Sequence, residues 1–146
     1  MNRSLHHLLA TVTLLLITSS VCAQQSERFG PYELHYSVVN TTFLEPKVAA
    51  TYGITRGKKR GILNLSLREH IGDETVAKTM LLKGKTWDLI HHVPLEFMEV
   101  REGDAVYSIA EFSFINEEWR FFEIDFRPDG ATQSYTFKFK HQLYIN

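Results

Sequence analysis

Apolar and polar residues alternate along most of this chain in short runs broken by Gly, Pro, Asp and Asn, the period-two signature of strands that bury one face. In YELHYSVVN, Tyr32, Leu34, Tyr36 and Val38 share one face of a strand over 32–40. In ILNLSLRE, Leu63, Leu65 and Leu67 oppose Asn64, Ser66 and Arg68. Further segments run from about Thr75 to Trp87, Leu95 to Arg101, Ala105 to Phe114 and Trp119 to Arg127, and SYTFKFKHQLY sets Tyr135, Phe137, Phe139 and His141 against Thr136, Lys138 and Lys140. Glycine in IGDE (71–74) and EGD (102–104) suits hairpin turns that need positive φ, and RPDG (127–130) has type I turn order. EPKVAATYG is the one helical stretch: Pro46 suits a first helical position and Gly53 a stop, two turns apart.

Within the fourth segment the apolar face changes sides, because Leu95 and Phe97 have one parity and Met98 and Val100 the other. A β-bulge near Phe97 would reconcile them. Seven short strands at this spacing predict an all-β domain, an immunoglobulin-like antiparallel β-sandwich of about seven strands with one short helix at most. A small β-barrel is the alternative.

The first residues are of another kind. Arg3, His6 and His7 precede an apolar run from Leu8 to Val21 that ends in small residues, with Val21 and Ala23 at the positions a signal peptidase reads. The run is shorter than the roughly 20 residues of a membrane span, so residues 1–23 read as a cleaved signal peptide and 24–146 as one β-sandwich domain, periplasmic, with no transmembrane segment after cleavage. Lipid anchoring through Cys22 is the alternative, disfavoured because Val21 replaces the small residue such a site wants. Cleavage after Ala23 removes the only cysteine, which excludes disulfide and thiol chemistry from the mature chain.

The 10 Phe, 6 Tyr and 2 Trp all follow the leader and supply a large apolar area to a domain without staples. A formal net charge of −1 gives no global field toward nucleic acid, and export disfavours that partner further.

The block FGPYELHYSVVNTTFLEPKVAATYGITR (29–56), then ILNLSL, EVREGDAVYSIAEF and DFRPDG, resembles a family of small exported proteins of Gram-negative bacteria known as domain of unknown function 4426. The resemblance covers nearly all of the chain after the leader. It implies a periplasmic setting and a single small β domain, and it carries over no catalytic residue.

Candidate chemistry is sparse. His91 and His92 in DLIHHVP are adjacent, but successive strand residues point to opposite faces, so both reach one ion only if the backbone bends. A zinc or copper site needs three or four ligands; His35, His70 and His141 could complete one, but they lie on separate strands. The basic run TRGKKRG places Arg56, Lys58, Lys59 and Arg60 in a loop that suits a phosphate-bearing surface or plain solvation. KGKT (83–86) lacks the earlier glycine of a phosphate-binding loop, since position 79 is Thr79, and Gly84 reads instead as a closely approached strand position. Glu123, Asp125 and Arg127 share a strand face and read as a charge ladder with a cross-strand lysine. No G-x-S-x-G or H-E-x-x-H occurs, which weighs against hydrolysis.

The sixth segment is apolar on both faces, Trp119 and Phe121 on one, Phe122, Ile124 and Phe126 on the other. One set closes the core; the other covers a second layer, forms a homodimer contact or makes a binding patch. The expectation is therefore a non-enzymatic binding or accessory module of the cell envelope, without cofactor, using Trp119 and Phe121 and the loop Arg56, Lys58, Lys59 and Arg60 toward an unidentified envelope protein or surface. The rival is a metal-binding or hydrolytic protein using His91 and His92.

Overall fold

Strands that are apolar on one side must bury that side, and this chain does so by stacking two antiparallel sheets. The computed structural model describes residues 25–146. In chain order the elements are β1 (Gln25–Phe29), β2 (Tyr32–Asn40), a 3-10 turn (Thr41–Phe43), α1 (Pro46–Thr51), β3 (Arg60–Ile71), β4 (Glu74–Lys78), β5 (Met80–Trp87), β6 (His92–Leu95), β7 (Phe97–Glu102), β8 (Ala105–Ser113), β9 (Glu118–Pro128) and β10 (Tyr135–Leu143). One sheet has the order β1-β2-β3-β8-β7, with β4 also on β3; the other is β10-β9-β5-β6. The two sheets do not join, so the fold is the expected sandwich and not the barrel. The signal peptide and Cys22 lie outside the described residues.

The inner faces are those the alternation marks. Leu34, Leu63, Leu65, Leu67, Phe112, Phe122, Ile124, Phe126 and Phe137 are buried together. Aromatic pairs join the sheets, with Phe112 edge-on to Phe122 at 5.3 Å between centroids and Tyr36 against Phe137 at 4.7 Å. The helix ends in a Schellman motif: Gly53, at φ 67°, lets its N–H reach the Ala50 carbonyl and brings the Ile54 N–H to the Ala49 carbonyl at 2.8 Å. That turn seats Ala49 and Ile54 on Ile62, a second apolar layer on the outer side of the six-stranded sheet.

Ten strands form from the seven segments for three reasons. β1 was not legible because QSERF has one apolar residue, Phe29; the strand is held by backbone pairing to β2 and by Phe29 packing edge-on to Phe126 at 5.1 Å. The Thr75–Trp87 segment changes sheet at Thr79, where β4 leaves β3 and β5 joins β9. The fourth segment does the same at Glu96: β6 pairs with β5, and β7 pairs with β8. The parity change there is therefore a crossing between sheets, not a bulge. Leu95 and Phe97 both reach the central core, while Val100 is buried without joining it.

Gly84, in mid-β5, shows why a strand tolerates glycine at this point. A Cβ there would lie 2.9 Å from both Ile124 Cδ1 and Phe97 Cε2, so those two side chains occupy the space of the missing one. Gly84→Ala is expected to lower stability by about 1–3 kcal/mol, measured by urea unfolding, with part of the loss recovered when Phe97 is shortened to Leu.

Candidate functional site

Because β9 is apolar on both sides, burying Phe122, Ile124 and Phe126 turns Trp119 and Phe121 outward. Strand register then lays one row across the outer face of the four-stranded sheet: Lys140 on β10, Phe121 on β9, Trp87 on β5 and His92 on β6. The three rings are nearly parallel, with Trp87 5.6 Å from Phe121 at 14° and 5.5 Å from His92 at 7°. Offset stacking of this kind occupies the ring faces with one another. Trp119 stands in the adjacent row, two residues before Phe121 on β9 and opposite Gln142, and the Lys140 ammonium lies 4.7 Å from its ring centroid in a cation–π contact. One row further along, Glu123 is clasped by Lys138 at 2.9 Å and Lys85 at 3.0 Å, and the hydrogen bonds from Lys138 and then Lys85 hold its carboxyl below the usual range. The charge ladder read from the sequence is present, and it borders the aromatic end.

Two loops rise beside that end. The β5–β6 connection presents Leu89 and Ile90, 93% and 80% exposed, and the β8–β9 connection presents Ile115, 65% exposed. With Trp119 and Phe121 they line an open cleft of about 570 Å³, rimmed by Asp88, Asn116, Glu117 and Lys140. Neighbouring apolar side chains left this open to solvent are unusual for a folded surface.

The loops are held from beneath. Asp88 opens its loop with an Asx turn: Oδ1 accepts the backbone N–H groups of Ile90 at 2.7 Å and His91 at 2.6 Å. Those bonds, led by His91, push the Asp88 carboxyl down to about 2. Glu118 closes the other loop, its Oε2 accepting the Ile115 N–H at 2.8 Å. Arg120, only 5% exposed, joins the two: Nη1 donates to Glu118 Oε1 at 2.7 Å and lies 3.8 Å from Asp88 Oδ2, and Nε donates to Thr86 Oγ1 at 3.2 Å. Glu117, at φ 61°, takes a left-handed conformation that such loops keep only when their surroundings enforce it.

Among the expected site residues, Trp119 and Phe121 come together in the cleft. His91 and His92 flank it but are engaged separately, His91 Nδ1 3.5 Å from Asp88 Oδ2 and His92 stacked on Trp87. Among the described residues no group of three or more His, Cys, Asp or Glu is arranged to hold a metal ion. His35 and His70 instead flank Glu33, with His70 Nε2 2.7 Å and His35 Nε2 3.8 Å from its carboxylate oxygens. His141 is half-buried, and that burial lowers its pKa.

The basic run does not line the cleft. Arg56 donates to the Thr42 carbonyl at 2.9 Å, and Arg60 lies in β3 with Nη2 on Glu111 at 3.2 Å. Lys58 and Lys59 are exposed, and the Lys59 carbonyl accepts the Phe114 N–H, which ties the run to the root of the β8–β9 loop. Residues not singled out from sequence are Asp88, Leu89, Ile90, Ile115 and Arg120. Arg120 was detectable in principle, since it shares the parity of buried Phe122.

A family model described as a domain of unknown function, DUF4426, matches residues 26–146. The chain belongs to the DUF4426 family. A crystal structure of a DUF4426 family protein from Pseudomonas aeruginosa PAO1 is 31% identical, with 84% of this chain and 96% of that one aligned at a TM-score of 0.72. A copper-bound variant of FetP from uropathogenic Escherichia coli strain F11 shares the fold at 10% identity, covering 85% and 97% of the two chains with a TM-score of 0.61. FetP as isolated, from the same strain, aligns at 9% identity over 85% and 95%, with a TM-score of 0.60. No functionally curated protein matches the chain. No helix among the described residues of this DUF4426 member is long and apolar enough to cross a membrane.

Replacing Arg120 by Met leaves the Glu118 carboxylate, 7% exposed, buried without its cation. The expected loss is about 3–5 kcal/mol by chemical unfolding, and Arg120→Met combined with Glu118→Gln should lose less than Arg120→Met alone. Acid unfolding reads the Asx turn. With the Asp88 pKa depressed from 3.8 to about 2, the stabilisation is fully present above 3.8 and disappears as pH falls toward 2. Melting temperature followed from pH 5 to 2 should fall less steeply in Asp88→Asn than in the parent chain.

Proposed function

We propose that this DUF4426 protein is an exported, non-catalytic binding module of the cell envelope whose recognition surface is the aromatic cleft of the four-stranded sheet. The observation that carries the reading is the joint exposure of Leu89, Ile90, Ile115 and Trp119 around a cleft with a Phe121 floor, on loops pinned by a buried arginine. Surface loops are ordinarily polar, and a pinned apolar cleft suits the apolar side chains of a protein partner. The stacked rings offer edges more than free faces, which favours side-chain insertion over a flat sugar platform. Export rests on the leader pattern of residues 1–23.

The metal-binding reading through His91 and His92 draws on the copper-bound state of FetP, which has the same fold. It has less support, since fold alone does not carry function and each imidazole already has its own partner.

A photo-crosslinking residue placed at Ile90 or Ile115 in growing cells tests the binding reading. The expected result is a discrete adduct from both positions, lost on Trp119→Ala and absent with the same residue at exposed Val76. Equal labelling at Val76, or none at the cleft, overturns it. Metal content of the purified protein, with and without His91→Ala and His92→Ala, addresses the rival.

A further inference from the structure

The outer face of the four-stranded sheet continues past the aromatic row. Beyond Phe121 the outward positions of β9 are Glu123, Asp125 and Arg127. They are flanked by Lys138 and Lys140 on β10 and by Lys83 and Lys85 on β5. The strands thus set five cations against two carboxylates on this face, in a chain whose formal net charge is −1. Lys85 and Lys138 share one carboxylate, that of Glu123, and Asp125 accepts a hydrogen bond from Thr136 at 2.6 Å. Lys83, Arg127 and Lys140 are exposed and form no ion pair among the described residues.

The surplus charge has a direction. Asp88 and Glu117 rim the cleft at its loop end, whereas the surplus cations begin at Lys140 and continue away from the loops. Arg127 lies six residues beyond Phe121, about 20 Å at the rise of an extended strand. An acidic chain is therefore repelled at the loops and drawn down the sheet. Shape selects a polypeptide over a bilayer. The basic strip is the three strands β10, β9 and β5, about 10 Å between the outer two. A flat membrane that met Leu89 and Ile90 would stand clear of Arg127, whereas one extended segment can enter the cleft and continue over the strands.

We propose that the segment held by the aromatic cleft is acidic: its apolar anchor fills the cleft, and carboxylates beyond the anchor lie over Lys140, Lys83 and Arg127 as the chain runs down the sheet. This rests on the binding role of the cleft proposed above and adds the charge and direction of what binds.

Three synthetic peptides test it, each a Leu-Phe anchor followed by four Ser-Glu, four Ser-Gln or four Ser-Lys pairs. Each is titrated into isotope-labelled protein and followed by amide chemical shifts. The Glu peptide is expected to move the Ile90, Trp119 and Phe121 resonances together with those of Lys83 and Arg127. It should bind about fivefold tighter than the Gln peptide, with the Lys peptide weakest. That advantage should vanish as NaCl rises from about 0.05 to about 0.5 M, which cuts the screening length to a few ångströms. Lys83→Gln combined with Arg127→Gln, both at exposed positions, should reduce the advantage to about twofold and leave the Gln peptide unaffected. Trp119→Ala should weaken all three peptides. Vesicles of phosphatidylcholine, with and without phosphatidylglycerol, should not bind. Peptide binding without charge order, or a Glu advantage that survives the double substitution, overturns the acidic segment and leaves the cleft standing. Binding of phosphatidylglycerol vesicles overturns it in favour of a lipid surface. Failure of all three peptides at millimolar concentration overturns both the acidic segment and the cleft.

Discussion

A strand turns successive side chains to opposite faces, and β9 is apolar on both of them. Only one face can join the core. Phe122, Ile124 and Phe126 do so, which leaves Trp119 and Phe121 on the outside of the sheet, with no layer above them among the described residues. The six-stranded sheet faces the same difficulty at Val39, Ile62 and Ile109 and resolves it differently, by laying α1 and Ile54 over them. The two outer faces thus differ in kind. One is partly roofed by a helix, which leaves a groove at its margin; the other carries a row of stacked rings open to solvent.

The open face gains its shape from a buried cation. Arg120 belongs to the inward row of β9, where a guanidinium is costly to desolvate, and the carboxylates of Glu118 and Asp88 offset that cost. Ion pairs of this sort contribute less to net stability than to geometry. Here the geometry is that of two loops, because Glu118 also holds the Ile115 N–H and Asp88 also holds those of Ile90 and His91. Apolar loop residues would ordinarily fold down onto the sheet; these are attached at their polar roots and stay raised. The same arrangement accounts for the depressed Asp88 pKa, since its charge is the acceptor on which the turn depends.

Membership of DUF4426 and the shared architecture with FetP agree on the sandwich and say little about chemistry. At 10% identity the backbone is kept while side chains on the outer faces are free to change, and function lives in such side chains. What could carry function in this chain is accordingly local: Leu89 and Ile90 in one loop and Ile115 in another.

Fold class, most strand positions, the short helix and the inward faces were legible in the sequence, because period-two alternation and glycine or proline at turns act over a few residues. So was the duality of β9, which Trp119 and Phe121 announce by parity. β1 was not, because its pairing is carried by backbone groups that every residue has. Nor were the sheet changes at Thr79 and Glu96, since a strand looks the same locally whichever sheet it joins. The pairing of His91 with Asp88 and of His92 with Trp87, and the use of Arg120 as a tie between two loops, join residues up to 32 positions apart in the chain. Alternation determined which residues face inward; only the stacking of the sheets decided which outward residues meet.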